Sequence, residues 1–198
     1  MEEGPFHGVA LEHASRLLNH GPTVLVTSAH DGRRNVMAAA WSMPVEFTPP
    51  RIALVIDKTT FTRELVAASG TLGVCIPGAG LADLVYTVGS CSGRDGDKFA
   101  RFGIACHDSP TLHLPMLQAG CAAWLECRLL PEPHTEDAYD TCFAEVVSAA
   151  ADPRVFREGH WELREDNTAL HTIHHLGAGH FARADALPRA RLLPATDR

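Results

Sequence analysis

Residues 35–58, NVMAAAWSMPVEFTPPRIALVIDK, followed at once by 59–70, TTFTRELVAASG, decide how this chain folds. Two extended segments flank the proline pair Pro49-Pro50, and a short helix comes after them. In the first segment Asn35, Met37, Ala39, Trp41, Met43 and Val45 alternate with Val36, Ala38, Ala40, Ser42 and Pro44, so one side of the strand is bulky and the other small. From Asn35 to Trp41 is six strand steps, about 20 Å at the usual rise, comparable to an extended mononucleotide. Small side chains let a flat ring approach the backbone closely.

The second segment, from Arg51 to Asp57, is almost continuously apolar through Ile52, Ala53, Leu54, Val55 and Ile56, which predicts a strand buried on both faces. The helix carries Phe61, Leu65 and Ala68 on one stripe, with Thr59 or Thr60 as N-cap and Gly70 as its stop. Its N-terminus has free backbone N–H groups suited to an anion, and Lys58 and Arg63 add positive charge around it. On spacing alone the same pattern also serves as an ordinary structural unit. The physics permits a phosphate site without requiring one.

Working outward, Thr23 to Ser28 is a short strand, and Asp31-Gly32 hands it to the Asn35 strand as a hairpin. Thr71 to Ile76 is a further strand ending at Pro77-Gly78. Leu81, Leu84, Val85 and Val88 stand at helical spacing before Gly89, which predicts an amphipathic helix packed on the sheet. Cys121 to Leu130 and Tyr139 to Ala149 are rich in β-favouring residues and separated by a polar, proline-bearing loop, so they read as a second hairpin. Many short strands with a few helices between them favour a mainly β protein, a closed or partly closed antiparallel barrel with Greek-key character and short peripheral helices. No G-x-G-x-x-G follows a strand and no internal repeat is visible, which argues against a Rossmann domain.

The chain has 198 residues, 45% of them hydrophobic, enough for one domain with a real core. No linker-like run divides it, so 1–198 reads as a single domain, with 182–198 as a C-terminal tail. A formal charge of −7 with no Lys/Arg stripe argues against nucleic acid or an anionic membrane as the main partner. Six cysteines, at 75, 91, 106, 121, 127 and 142, form no C-x-x-C pair, and MEEGPFHG lacks the basic and apolar regions of a secretion signal. The expected compartment is a reducing cytoplasm. No apolar run approaches the roughly 18 residues of a membrane-spanning helix.

Two more stretches carry candidate chemistry. CSGRDGDKF, 91–99, with the serine before it, offers small hydroxyls at Ser90 and Ser92, flexible Gly93 and Gly96, and charges at Arg94, Asp95, Asp97 and Lys98. Read from its residues, it is a solvated turn in which Asp97 caps a short helix burying Phe99 and Phe102. Near the C-terminus, His171, His174, His175 and His180 fall within ten residues. Such a cluster can in principle bind a transition metal, but no carboxylate or cysteine sits among them at a familiar ligand spacing, so no metal site is expected.

Taken in order, NVMAAAWSMPVEFTPP, the TFTREL helix, SGRDGDKF (92–99) and HHLGAGHF (174–181) resemble the flavin reductase-like family of FMN-binding split barrels, which includes flavoredoxin. The resemblance covers roughly residues 7 to 181. It implies that Lys98 reaches the flavin, Asn35 makes a polar contact to the ring, Trp41 is its aromatic neighbour, and Thr62 lies near the phosphate. Ala38, Ala39, Ala40, Ser42, Lys58, Thr59, Ser92 and Gly93, which lie in the matching stretches, complete the expected cofactor-binding set. The segment at 174–181 matches the family's His-x-Gly-Gly-like loop, so His175 and Gly177 become flavin or nicotinamide contacts. One departure stands out. Many relatives carry a histidine before the strand ending FAEVV, and Tyr139 occupies that position here, which puts in doubt any role of that histidine in proton delivery or nicotinamide placement.

The resemblance further implies an FMN-dependent oxidoreductase in which reduced nicotinamide, NADH or NADPH, delivers hydride to FMN and electrons pass to a downstream acceptor, possessing no side-chain nucleophile. It implies a homodimer with the flavin near the subunit interface, and a redox protein as a further partner. The alternatives are a flavoredoxin-like electron carrier with little NAD(P)H turnover, a non-catalytic flavin-binding module, and a related split barrel holding haem or pyridoxal phosphate. The choice between NADH and NADPH, the final acceptor, and whether FMN is a fixed group or a passing substrate are not written in the sequence.

Overall fold

Asp31 and Gly32 take φ angles of +48° and +71°, the two left-handed residues that a tight type I′ hairpin needs, and the strands on either side of them pair as the sequence predicts. In this computed structural model, which describes residues 5–193, the strands are β1 (His7–Gly8), β2 (Val24–His30), β3 (Arg33–Ala39), β4 (Ser42–Phe47), β5 (Pro50–Val55), β6 (Thr71–Pro77), β7 (Cys106–Asp108), β8 (Pro115–Leu117), β9 (Cys121–Leu130), β10 (Thr141–Ala151), β11 (Phe156–Arg157), β12 (His160–Trp161), β13 (Ile173–Gly177) and β14 (His180–Arg183). The helices are α1 (Leu11–Ala14), α2 (Phe61–Ser69), α3 (Ala82–Gly89), α4 (Lys98–Arg101) and α5 (Pro133–Tyr139). The first four residues of the N-terminal stretch and the last five of the predicted tail lie outside the described residues.

The main sheet is antiparallel, in the order β3-β2-β6-β9-β10-β5-β4, with β1 added to β10. Its two edges, β3 and β4, are consecutive in the chain and joined through Ala40 and Trp41, with no ladder between them among the described residues. The ribbon therefore curls into a barrel that is split, a mainly β fold with short helices outside it. Alternate residues of one strand serve two cores: Val24 and Val26 of β2 point into the barrel with Leu54, Leu72 and Leu125, whereas Leu25 faces out to Val85 and Val88 of α3 and Phe99 of α4. This is the period of two expected of a strand with both faces covered.

Four expectations change. The Asn35–Val45 segment is two strands rather than one, because β3 pairs with β2 and β4 with β5 at opposite ends of the sheet. Its bulky side consequently changes environment: Met37 and Ala39 pack against the barrel core, while Trp41, Met43 and Val45 are exposed. The second segment is buried on one face only, since Ile52 and Leu54 are buried but Arg51, Ala53 and Val55 are half-buried; continuous apolarity concealed an ordinary alternation. The proline-bearing stretch before β10 is helix α5, with Pro133 in its first turn, where a missing N–H costs nothing. Tyr139 ends that helix rather than starting a strand. Finally, the Arg63 guanidinium turns away from the start of α2. It is buried, bonds Glu136 Oε2 at 2.6 Å and contacts Cys142, tying α2 to α5 and β10.

Candidate functional site

Helix α2 begins because Thr60, in an extended conformation, accepts a hydrogen bond from Arg63 N while its own hydroxyl donates to Asp57 O. It stops at Gly70, which takes φ +69° and closes the last turn onto Val66 O. The Phe61 and Thr62 N–H groups of the first turn have no i−4 carbonyl to bond, so the positive end of a nine-residue helix is open beside β3. Lys58 turns away from it, donating to Asp137 O and standing 3.5 Å from Asp140. Thr59 has its N–H and hydroxyl on Asp57 Oδ1, an exposed carboxyl held below its ordinary pKa chiefly by that hydroxyl.

A groove of about 390 Å³ runs between this helix start, β3, the end of α3 and the loop before α4. Asn35, Ala38, Thr59, Thr62, Ser92, Gly93 and Lys98 all line it, so seven of the sequence-predicted residues converge. Asn35 is buried, its carboxamide N–H donating to Thr62 Oγ1 at 2.8 Å, while its Oδ1 has no partner. Gly93 closes over that amide so tightly that a Cβ there would lie 2.2 Å from Asn35 Oδ1 and 2.7 Å from the Phe61 ring. Ser92 caps the turn that carries Gly93, accepting from Arg94 N at 3.1 Å.

Lys98 is the buried charge of the groove. Its Nζ donates to Val36 O at 2.9 Å and Val88 O at 2.7 Å, bridging β3 to α3, and burial draws its pKa below the ordinary lysine value. An ammonium has three N–H donors, so one has no partner among the described residues. Asp97 holds the backbone that presents Lys98, accepting from Phe99 N at 2.8 Å and from Arg34 at 2.9 Å. The turn reading of this loop holds, since Asp97 caps a short helix and Phe99 is buried, and the same turn sets Lys98 in the wall of the groove.

Past Ala38, Gly89 and Ser90 the groove continues into a more apolar hollow of about 200 Å³, lined by Ala39, Ala40, Tyr86, His175 and Phe181. The β13-β14 hairpin supplies the last two, with His175 and Phe181 rings 5.3 Å apart, and its Gly179 lets the turn rest on Tyr86. The histidines of this region go to separate partners: His171 to Asn167 and Asp185, His174 to Gly21 O. Among the described residues no group of three His, Cys, Asp or Glu side chains is placed to hold a metal.

Trp41, Ser42, Lys58 and Gly177 do not line either hollow. Trp41 and Ser42 belong to the β4 side of the break, and Gly177 sits at the bulge of β13. Conversely Thr60, Phe61, Ser90 and Arg94 line the groove without having been singled out as contacts. Arg94 was visible in the 91–99 loop as a charge; its approach to Thr59 O, 35 positions away at 2.8 Å, is set by packing.

Residues 16–171 match the family described as flavin reductase like domain. The uncharacterized protein YddH of Escherichia coli (strain K12) is 56% identical over 178 residues, 89% of this chain and 93% of that one. Among solved structures, an FMN-binding domain of a flavin reductases-like enzyme from Shewanella baltica OS155 superposes with a TM-score of 0.89 at 38% identity, covering 96% of this chain and 100% of that chain. Flavoredoxin of Desulfovibrio vulgaris (Miyazaki F) shares the fold, with a TM-score of 0.73 at 21% identity over 86% of this chain and 90% of its own.

Proposed function

Because this chain belongs to the flavin reductase-like family, we propose that it binds FMN along β3 and acts as an NAD(P)H-dependent oxidoreductase that passes electrons to a downstream acceptor. The observation that carries this reading is the buried Lys98 ammonium in the middle of a groove that ends at an open helix N-terminus.

The residues present fit such a ligand. Asn35 Oδ1 is a buried acceptor without a partner, the third Lys98 donor is uncommitted, and Ala38 and Gly89 keep the wall low. Bound FMN supplies the electron-accepting ring that takes two electrons from a reduced nicotinamide. The protein's part is placement and charge. Lys98 holds a proton on Nζ against two carbonyl dipoles in a poorly solvated site, where a positive donor stabilises negative charge far better than in water. Asn35, fixed by Thr62, orients a polar edge, while Phe61 N–H and Thr62 N–H receive the phosphate. Tyr86, His175 and Phe181 screen the apolar end from water and leave room for a second ring. No side chain acts as a nucleophile in this scheme.

We further read the whole chain as one domain acting as a homodimer in the cytoplasm. The exposed apolar side chains of Trp41, just before β4, and of Met43, Val45 and Phe47 on it support a partner copy, and the six unpaired thiols support a reducing compartment. Among the described residues no helix is long and apolar enough to cross a membrane.

An absorption spectrum of the purified protein, followed by anaerobic addition of NADH and of NADPH, tests the reading. Flavin absorbance bleached by either nucleotide is the expected result. A colourless protein that does not quench added FMN fluorescence overturns it. Bound FMN with negligible bleaching points to an electron carrier or a binding module, and a haem or pyridoxal spectrum to a different ligand.

A further inference from the structure

We infer that Arg34, which lies outside the groove, is a positioning residue for the flavin reaction: it clamps Asp97 and so sets where the neighbouring Lys98 presents its ammonium to the flavin; this rests on the flavin reading above. Arg34 and Val36 stand two positions apart on β3, and between them they hold both ends of the Asp97-Lys98 pair. Arg34 Nε and Nη2 both donate to Asp97 Oδ2, at 3.0 Å and 2.9 Å. Lys98 Nζ donates to Val36 O at 2.9 Å. The strand that forms the groove wall thus closes a ring with the start of α4. Two N–H groups on one carboxylate oxygen fix the direction of the guanidinium as well as its distance.

The clamp has work to do because α4 spans only Lys98–Arg101, and so short a helix makes too few internal hydrogen bonds to hold its own place. The two oxygens of Asp97 divide the task. Oδ1 accepts from Phe99 N at 2.8 Å and caps the helix, while Oδ2 is left for Arg34. Burial pushes the Asp97 carboxyl up, but the hydrogen bonds from Arg34 and Phe99 N outweigh it and hold the group below its ordinary pKa. Arg34 is fastened elsewhere too: Nη1 donates to Cys106 Sγ at 3.3 Å, and Cζ lies 4.7 Å from the centroid of the buried Phe99 ring. A guanidinium held on three sides is a fixed point, not a free ligand for a substrate. With two Lys98 donors committed to Val36 O and Val88 O, the direction of the third follows from where α4 sits on β3. A misplacement of about 1 Å is enough to spoil such a contact.

Redox titration of the FMN-loaded protein against a reference dye reads the effect, with thermal melts as a folding control. The proteins compared are wild type, Arg34→Met, Asp97→Asn and Lys98→Met, and each of the first two variants combined with Lys98→Met. Asp97→Asn keeps the cap through its carbonyl oxygen and turns the clamped oxygen into an amide donor that Arg34 cannot bond. Arg34→Met and Asp97→Asn should each move the reduction equilibrium of the flavin at least about threefold toward the oxidised form. Neither should move it further in the Lys98→Met background, because the residue they act through is gone. An equal shift in both backgrounds means that Arg34 acts through its own charge and overturns the inference, as does a shift below threefold in either single variant. If Arg34→Met does not fold, Asp97→Asn in the two backgrounds decides by the same criterion. Bound FMN whose potential is unchanged by Lys98→Met also overturns the inference, since Arg34 then has nothing to position. A wild-type protein that binds no FMN has failed the flavin reading itself.

Discussion

Asn35 of β3 and Thr62 of α2, 27 positions apart in the chain, are joined by a hydrogen bond of 2.8 Å between two buried side chains. That bond sets the spacing between the strand that forms the groove wall and the helix start that forms its anion end. Removing one partner leaves the other buried without compensation, which costs about 1–3 kcal/mol. Thr62→Val and Asn35→Ala should each destabilise by that amount in urea denaturation, and the double variant should lose less than the sum. Asn35→Ala should weaken FMN more than Thr62→Val does. Strictly additive losses would show that the two side chains act independently.

Lys98→Met keeps the length of the side chain and removes its charge. Two carbonyls, Val36 O and Val88 O, lose their donor, and a charge-assisted bond of about 1.5–3 kcal/mol toward a reduced ring disappears with it. For a two-electron couple that corresponds to a flavin midpoint potential lower by roughly 30–60 mV. A redox titration of FMN bound to the variant checks the shift, and equilibrium dialysis checks retention. Unchanged potential and unchanged retention together would remove Lys98 from the site.

Gly93→Ala inserts a methyl group where the nearest atoms are 2.2 Å and 2.7 Å away. Neither neighbour moves freely, since Asn35 is tied to Thr62 and Phe61 lies between Arg33 and Arg94. Overpacking of this kind costs about 1–3 kcal/mol, and the strain falls on the groove wall. The expected outcome is a folded protein with a modestly lower melting temperature and at least tenfold weaker FMN quenching. Wild-type affinity in this variant would place the ligand elsewhere.

What could be read from the sequence was local. Asp31-Gly32, the Thr60 cap, Gly70 and the strand from Cys121 to Leu130 each depend on chemistry contained within a few residues, and each appears where the residues predict it. The split between β3 and β4 was not readable, because alternation runs on unchanged through Ala40 and Trp41 while the pairing partner changes from β2 to β5. Arg63 was misplaced for a related reason: its position beside the helix start suggests a phosphate ligand, but Glu136, 73 positions away, takes it. Asn35 and Lys98 are singled out only through family resemblance, since a lone asparagine in a strand and a lysine after a cap carry no local mark of burial.

The exposed apolar edge at β4 leads to a prediction about assembly. Trp41, Met43, Val45 and Phe47 are 74%, 58%, 41% and 70% exposed, and they stand just before or on the edge strand β4, whose bulge between Pro44 and Glu46 interrupts the alternation. Large apolar side chains exposed so close together on a sheet edge are characteristic of an interface. Sedimentation velocity should give a dimer for the wild-type protein and a monomer for Trp41→Asp combined with Phe47→Asp, with the melting temperature becoming independent of concentration. A wild-type monomer at micromolar concentration would remove the second copy from this face.

His20 gives the chain a defined sensitivity to acid. It is packed edge-on against Trp161 at 5.0 Å and His174 at 5.6 Å, bonds Thr172 Oγ1 at 3.0 Å through Nε2, and has no partner at Nδ1. Burial, reinforced by His174, lowers its pKa from 6.5 to about 4. The folded state therefore binds this proton less readily than the unfolded chain does. The contribution to stability is complete above about pH 6.5 and is lost progressively as pH falls toward 4. Allowing for partial solvation, the loss amounts to about 1–3 kcal/mol. The contact with Thr172 and His174 ties the turn before β2 to the β13-β14 hairpin, so the same protonation should loosen the hairpin that carries His175 and Phe181. Urea denaturation at pH 7.5 and pH 5 should show the drop in wild-type protein and a smaller one in His20→Phe, which keeps the aromatic packing without the titrating ring. Equal pH dependence in the two proteins would assign the acid sensitivity to other groups.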